Sequence, residues 1–352
     1  MRRTCLTPSH SPRTAPAESR ELPFREPISN STPPPDFMKR SIMLAATATL
    51  AVAACSDRQT ATNEAPVRTG ARTAFSGDSA LGYVRTAMAF GFRIPGTEAH
   101  RRAGDWIVEQ MRARADTVVV QEWTHTAADG TKLPLRNVLA RFRPDAAERV
   151  LYLTHWDTRP RSESAAHPED RARPVPGAND GTSGIGLFMA LADLLKATPP
   201  GVGVDLLFVD GEDYGDFGTN TDVFMGSTYF ADHLPSAGYQ PRFGVLWDMI
   251  ADRDLQVYYE QNSLDGAPEV VARVWQTAAD LGYGHHFIQQ PKHTINDDHL
   301  PLLRKGLRVI DVIDFDYGPA GAGWHHTPED TIDKISAASL QVMGDVAATL
   351  VK

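Results

Sequence analysis

The stretch Val204–Val209 is a short run, apolar but for Asp205, that leads directly into Asp210-Gly211-Glu212-Asp213. A run of that length, bounded by turn residues, reads as a strand buried on both faces. Such a strand needs helices on both sides of its sheet. The surrounding pattern supplies them. Leu81–Phe90 and Glu98–Ala115 show helical spacing, interrupted by Pro95-Gly96. Further helices are expected over Ser183–Lys196, Met225–Leu234, Ala267–Leu281 and Ala337–Val351. Strands are expected over Asn137–Phe142, Arg149–Leu153, Gly244–Trp247, Leu255–Tyr259 and Leu307–Ile313. Strands alternating with helices predict an α/β fold: a three-layer sandwich with a mostly parallel central sheet flanked by helices. In open sheets of this kind ligands bind beyond the carboxyl ends of the strands.

Four of the expected strands end in acidic or histidine residues. Arg149–Leu153 runs into His155-Trp156-Asp157, Val204–Val209 into Asp210 to Asp213, and Gly244–Trp247 into Asp248. Leu307–Ile313 runs into Asp314, Asp316 and then His325-His326. The loop Gly177-Ala178-Asn179-Asp180 precedes the Ser183 helix. A single strand-end Asp is usually a turn or helix cap. Several converging on one sheet edge are costly to bury unless paired or bound to metal. The two cysteines, Cys5 and Cys55, lie outside the body of the chain, so a Cys-based zinc site, a disulfide or a Cys nucleophile is excluded there. Carboxylates and imidazoles are what zinc takes when thiolates are missing. Glu212 and Asp213 are neighbours on an extended segment and point opposite ways, so one can face metal while the other faces substrate as acid or base.

The chain has 352 residues. Residues 1–37 are rich in Pro, Ser, Thr and Arg without an apolar period, and read as disordered or as a mis-annotated extension with Met38 the true start. Residues 38–54 combine a basic start, an apolar stretch and small residues before Cys55, which is the pattern of a lipoprotein signal peptide. Lipid on Cys55 would hold the protein to a membrane, and residues 55–73 would form a flexible tether to a single catalytic domain over 74–352. The expected location is the cell envelope: periplasmic, on the outer membrane. Residues 1–54 hold seven basic and four acidic residues, so a chain of net charge -9 leaves -12 for residues 55–352. That balance argues against nucleic acid as a partner.

His155-Trp156-Asp157, Gly177-Ala178-Asn179-Asp180, Gly211-Glu212-Asp213, Asp248 and His326-Thr327-Pro328-Glu329-Asp330-Thr331 follow the order of the zinc aminopeptidase superfamily, metallopeptidase family 28. The chain resembles that family over Leu81 to Val351. Arg93-Ile94-Pro95-Gly96 and Asp297 to Gly306 make it most similar to the glutaminyl cyclase branch. The resemblance implies zinc ligands Asp180, Asp213 and His326, with Asp213 standing where the family usually has Glu. It implies Glu212 as proton shuttle, and Asp248 and Asp298 as hydrogen-bonding partners of the substrate amine or of Glu212. His155 and Asp248 are the implied ligands of a second zinc, with Asp157 orienting His155. Trp324, His325 and Phe217 are candidates for the substrate pocket; His325 could instead cap a turn. The implied reaction is cyclization of amino-terminal Gln in peptides or proteins to pyroglutamate, with one zinc. The alternative is a two-zinc aminopeptidase. A metal-bearing binding protein is a third class, and retention of Asp180, Glu212, Asp213 and His326 weighs against it.

Overall fold

The computed structural model describes residues 73–320 and 323–352. The expectations for residues 1–37, the signal segment, Cys55 and the tether up to residue 72 lie outside the described residues. Among the described residues no helix is long and apolar enough to cross a membrane.

Six strands form the central sheet. β1 (Thr117–Thr126) and β2 (Lys132–Phe142) make an antiparallel hairpin at one edge, and β2 pairs antiparallel with β4 (Gly203–Val209). β4, β3 (Arg149–His155), β5 (Phe243–Asp248) and β8 (Val309–Ile313) run parallel, giving the order β1-β2-β4-β3-β5-β8. Three of the five pairings are therefore parallel, and the expected parallel sheet carries an antiparallel edge. The chain leaves β3 toward β4 and leaves β5 toward β8. The carboxyl ends of β3 and β5 thus flank the point where the winding reverses, where open sheets place their ligands.

Alternate residues of each strand feed two cores. Val150, Tyr152, Leu206, Phe208, Val245 and Trp247 join the larger one. Leu151, Leu153, Leu207, Val209 and Leu246 join the other. This is the two-residue period of a sheet buried on both faces. On the first face lie α1 (Gly77–Met88), α3 (Ser183–Ala197) and α8 (Ala337–Leu350), packed on one another. α4 (Met225–Asp232) and α7 (His299–Arg304) cover the second. α3 is buried all round from Ser183 to Ala192, as a helix wedged between sheet and neighbouring helices must be, and exposes Asp193 and Lys196 only toward its end. Its Gly184 lets it lie against β3: a Cβ there would collide with Thr154 Oγ1 and come 2.9 Å from the Trp247 carbonyl oxygen.

Asp205, inside the apolar run of β4, is fully buried and fully paired. It accepts from Arg149 at 2.7 and 2.9 Å, from Arg141 at 3.1 Å and from the Tyr239 hydroxyl at 2.7 Å. The pairing removes the cost that an isolated buried carboxylate would carry.

The Leu255–Tyr259 segment departs from expectation. It forms β6 (Val257–Glu260), which pairs with β7 (Phe287–His293) in a separate two-stranded sheet. Glu260 then caps α5 (Gln261–Gly266), accepting the N–H groups of Asn262 and Ser263. α2 (Glu98–Arg112) and α6 (Pro268–Asp280) complete the helices, each near its expected bounds.

Candidate metal centre

β3 ends in His155, whose ring is buried. Its Nε2 lies 3.0 Å from Asp180 Oδ1 and 3.2 Å from Asp248 Oδ1, the latter at the end of β5. Neither approach has hydrogen-bond geometry, and both ring nitrogens lack a hydrogen-bond partner. Asp180 comes from the loop between β3 and α3. Gly177 and Gly181 turn that loop with φ of 71° and 79°. Its backbone is fixed by Asp330, which accepts the N–H groups of Asn179 and Asp180.

Beyond β4, Gly211 turns the chain and Asp157 holds the next two residues. The Asp157 carboxylate accepts the N–H groups of Glu212 and Asp213, each at 3.2 Å. Asp157 Oδ1 is 3.6 Å from His155 Nδ1, too long for a hydrogen bond, so its grip is on the Glu212-Asp213 backbone. The two side chains diverge. Glu212 lines the cavity and comes within 3.7 Å of His155 Nδ1. Asp213 is buried, with Oδ1 3.3 Å from His326 Nε2. The same oxygen accepts from Arg159 Nη1 at 2.9 Å.

Arg159 ties this corner together. It donates to the Asp213 carbonyl at 3.0 Å, donates from Nε to Glu163 at 2.6 and 2.7 Å, and lies over the Phe217 ring at 4.9 Å. Glu163 in turn reaches His326 Nδ1 at 3.4 Å. His326 has φ 54°, a left-handed conformation costing about 1–2 kcal/mol for a residue with a Cβ. That turn brings His325 and His326 to one side, with ring centroids 3.8 Å apart. Their Nε2 atoms lie 3.8 and 3.7 Å from Asp180 Oδ2.

A cavity of about 310 Å³ opens over these groups. Glu212, Asp248 and Asp297 line it together with Asp180, His325, His326, Glu163 and Phe217. Two of the expected residues lie elsewhere. Asp298, expected at the substrate amine, is fully buried and accepts the Ser227 hydroxyl at 2.5 Å; its neighbour Asp297 faces the cavity. Trp324, expected in the pocket, packs edge-on against Tyr317 and under the Lys334 ammonium. Sequence reasoning misses Arg159, Glu163 and Asp297. The only signal for Arg159 is its place just beyond the strand end bearing His155 and Asp157.

The carboxyls perturb one another. Burial pushes Glu212 and Asp297 well above the usual carboxylate range, and nearby carboxylates push further. Burial raises Asp298 to about 7. For His326 burial works downward, but Asp213, Glu163 and Asp180 outweigh it and hold the imidazole at about 9. For His155 burial again pulls down while Asp248, Asp157 and Asp180 raise it well above its ordinary value.

These residues fit a divalent metal. Buried Asp180 Oδ2, Asp213 Oδ2 and both His155 nitrogens have no hydrogen-bond partner. Asp180, His325 and His326 offer donor atoms within 4.8 Å of one another, as do His155, Asp180 and Asp248. Zinc bonds of about 2.0–2.1 Å in a tetrahedron set neighbouring donors about 3.3 Å apart, close to the separations seen. The two groups have Asp180 in common.

An open α/β sheet with this donor set at its switch point and a carboxylate beside it defines a metal-dependent enzyme. The chain belongs to Peptidase family M28, whose family model matches residues 137–351, and its cofactor is zinc. It is similar to the glutaminyl cyclase of Porphyromonas gingivalis, with 39% identity and a TM-score of 0.73 over 78% of this chain and 97% of that one. It is also similar to a Zn-dependent exopeptidase from Parabacteroides distasonis, with 34% identity and a TM-score of 0.75 over 79% and 98% of the two chains. Aminopeptidase YwaD of Bacillus subtilis is 26% identical over 268 residues, 73% of this chain. That match spans 51% of the Bacillus protein, about half its length.

Proposed function

We propose that the chain is a zinc-dependent glutaminyl-peptide cyclotransferase, converting amino-terminal Gln of peptides to pyroglutamate with release of ammonia. The observation that carries this reading is that Glu212, Asp248 and Asp297 line the same cavity as the candidate metal donors Asp180 and His326. Three further carboxylates in that cavity suit a substrate α-amine, which must be held and must lose a proton. The similarity to glutaminyl cyclases over nearly their whole length supports the same reading.

Asp180 and His326 would hold the zinc, with a third donor from Asp213 or His325; bound there, zinc polarises the side-chain amide carbonyl of the substrate. Asp248 and Asp297 orient the α-amine toward that carbonyl carbon, so that ring closure gains from proximity. The α-nitrogen forms a bond to the amide carbon, and the bond from that carbon to the amide nitrogen breaks. Glu212 takes a proton from the α-amine and returns it to the departing ammonia. Phe217, stacked on His326 at 5.5 Å, covers the cavity edge.

A second reading, a two-zinc aminopeptidase, is favoured by the His155–Asp180–Asp248 group, which offers a complete second set of donors. There Glu212 would take a proton from water attacking the first peptide carbonyl. Mass spectrometry of Gln-Ala-type and Leu-Ala-type peptides incubated with the purified protein and zinc separates the two. Loss of ammonia from the Gln peptide with the backbone intact supports the cyclase; release of free Leu or Gln overturns it.

We also propose that the protein is exported and anchored through lipid on Cys55, at the outer membrane of the cell envelope. Fatty-acid labelling of the expressed chain tests this, and labelling that persists in Cys55→Ala would refute it.

A further inference from the structure

β1 is the outermost strand of the central sheet, and among the described residues no strand lies beyond it. An open edge offers a row of backbone N–H and C=O groups to any extended chain. Soluble proteins protect such edges with Pro, Lys, bulges or short strands. β1 uses none of these. It is ten residues long, reads Thr-Val-Val-Val-Gln-Glu-Trp-Thr-His-Thr, and keeps one unshifted register against β2. Apart from His125, its one ionisable side chain is Glu122.

The hairpin fixes which groups face outward. The Ala127 N–H donates to the Thr131 carbonyl at 2.9 Å, closing the β1–β2 ladder. Every second residue back from Ala127 therefore turns its backbone toward β2. Val118, Val120, Glu122 and Thr124 turn theirs outward, and no other described element receives them. The side chains alternate as well. Val118 and Val120 pack against the larger core. Val119, Gln121 and Trp123 lie on the α4 side, where Trp123 stacks on Tyr229 at 4.2 Å. Val119 is left 37% exposed, which among the described large apolar side chains only Phe92 exceeds.

We propose that β1 pairs with β1 of a second copy, antiparallel about a two-fold axis centred on Gln121, joining two six-stranded sheets into one. The sequence of β1 selects both the occupant and the register. Outward residues must meet outward residues, so the axis passes through a residue. Centring on Glu122 would set two carboxylates directly opposite, which is destabilising. Centring on Val120 would leave Thr124 to Thr126 without strand partners. Centring on Gln121 pairs Thr117 to His125 with the same stretch reversed. Glu122 then faces Val120, and exposed Val119 meets Trp123 of the second copy. That pair is not hydrogen-bonded, so its side chains approach closest. Aromatic and β-branched residues are favoured cross-strand partners. The strand thus complements itself, as a two-fold interface requires.

β1 and β4 both run antiparallel to β2, so they point the same way, and Glu212 of the cavity follows the carboxyl end of β4. The two-fold axis reverses β1. The two cavities therefore open on opposite edges of the joined sheet, and neither blocks the other. The inference rests on the fold and not on which reaction the cavity serves.

The test is sedimentation of the full chain over a concentration series, beside Val119→Lys and Thr124→Pro. Lys restores a charged edge, and Pro removes an outward N–H while sparing the bonds to β2. The expected result is a reversible dimer for the wild type and a monomer for both variants, with circular dichroism unchanged. The register is read separately, in a chain carrying Cys5→Ser and Cys55→Ser. There Gln121→Cys should form an intermolecular disulfide on mild oxidation, because the two Cα atoms would stand about 4.5 Å apart. It should form at least tenfold faster than in Val119→Cys, which faces Trp123. This cross-link also decides the matter should either sedimentation variant fail to fold. A wild type that stays a monomer at about 0.1 mM overturns the proposal. So does a dimer that survives both variants, or cross-linking that favours Val119→Cys.

Discussion

The Asp330 carboxylate grips the backbone of Asp180, accepting its N–H at 3.2 Å with Oδ2. The other oxygen accepts the Asn179 N–H at 2.9 Å and the Tyr317 hydroxyl at 2.8 Å. Asp330 does not itself line the cavity, yet it sets where the shared metal donor stands. Asp330→Ala would leave three buried donors without an acceptor. At about 1–3 kcal/mol for each unsatisfied group, unfolding in urea should shift to clearly lower concentration. Zinc affinity should fall about 10–100-fold, the usual cost of losing a group that orients a ligand. Unchanged affinity in a chelator competition would reduce Asp330 to a structural role.

Glu212→Gln keeps the size of the side chain and removes its ability to carry a proton. Turnover should fall about 10²–10⁴-fold, with zinc content unchanged by elemental analysis. Ammonia release close to wild type would remove Glu212 from the reaction.

His155→Ala takes a donor from the His155–Asp180–Asp248 group alone. A two-zinc peptidase should lose at least about 100-fold in kcat/KM, whereas a one-zinc cyclase should lose less than about tenfold. Equal losses on Gln and Leu peptides would show that cyclization also needs this group.

Asp314, just past β8, gives a pH prediction at a carboxyl outside the candidate metal donors. Burial raises its carboxyl from 3.8 to about 8. A raised folded-state pKa means the folded protein binds this proton more tightly than the unfolded chain. The contribution to stability is fully present below the unfolded value and is lost as pH rises through the folded one. Asp314→Asn removes this dependence and keeps an acceptor for the Gln256 N–H. The Tm of the variant minus that of wild type should therefore grow more positive between about pH 4 and 8. A difference that stays flat across that range would rule out the linkage.

The strands readable from sequence are β3, β4, β5 and β8, whose apolar residues fill both cores, together with the second half of β2 and β6. β1 escapes because only alternate residues are even half-buried along Thr117–Thr126 for much of its length, and polar Gln, Glu and Thr fill the rest. β7 escapes because Gln289 to Lys292 is exposed and carries a proline. Site residues at strand ends are visible because topology alone gathers them. Arg159 and Glu163 are not, since a loop Arg and Glu read as solvated until the fold buries the guanidinium. Nor can spacing tell which of Asp297 and Asp298 faces the cavity: that depends on the turn into α7 and on Ser227 from α4.

The site draws on separate lengths of chain, from the end of β3 to the loop beyond β8. No local hairpin or single loop can assemble it, so zinc cannot template a fragment during folding. Zinc instead acts as a partner of the finished domain. At a concentration a hundredfold above its Kd, a ligand that binds only the folded state adds about 2.7 kcal/mol. Zinc supply would then regulate the lifetime of the protein as well as its turnover, because a starved domain opens more often and meets proteases more often.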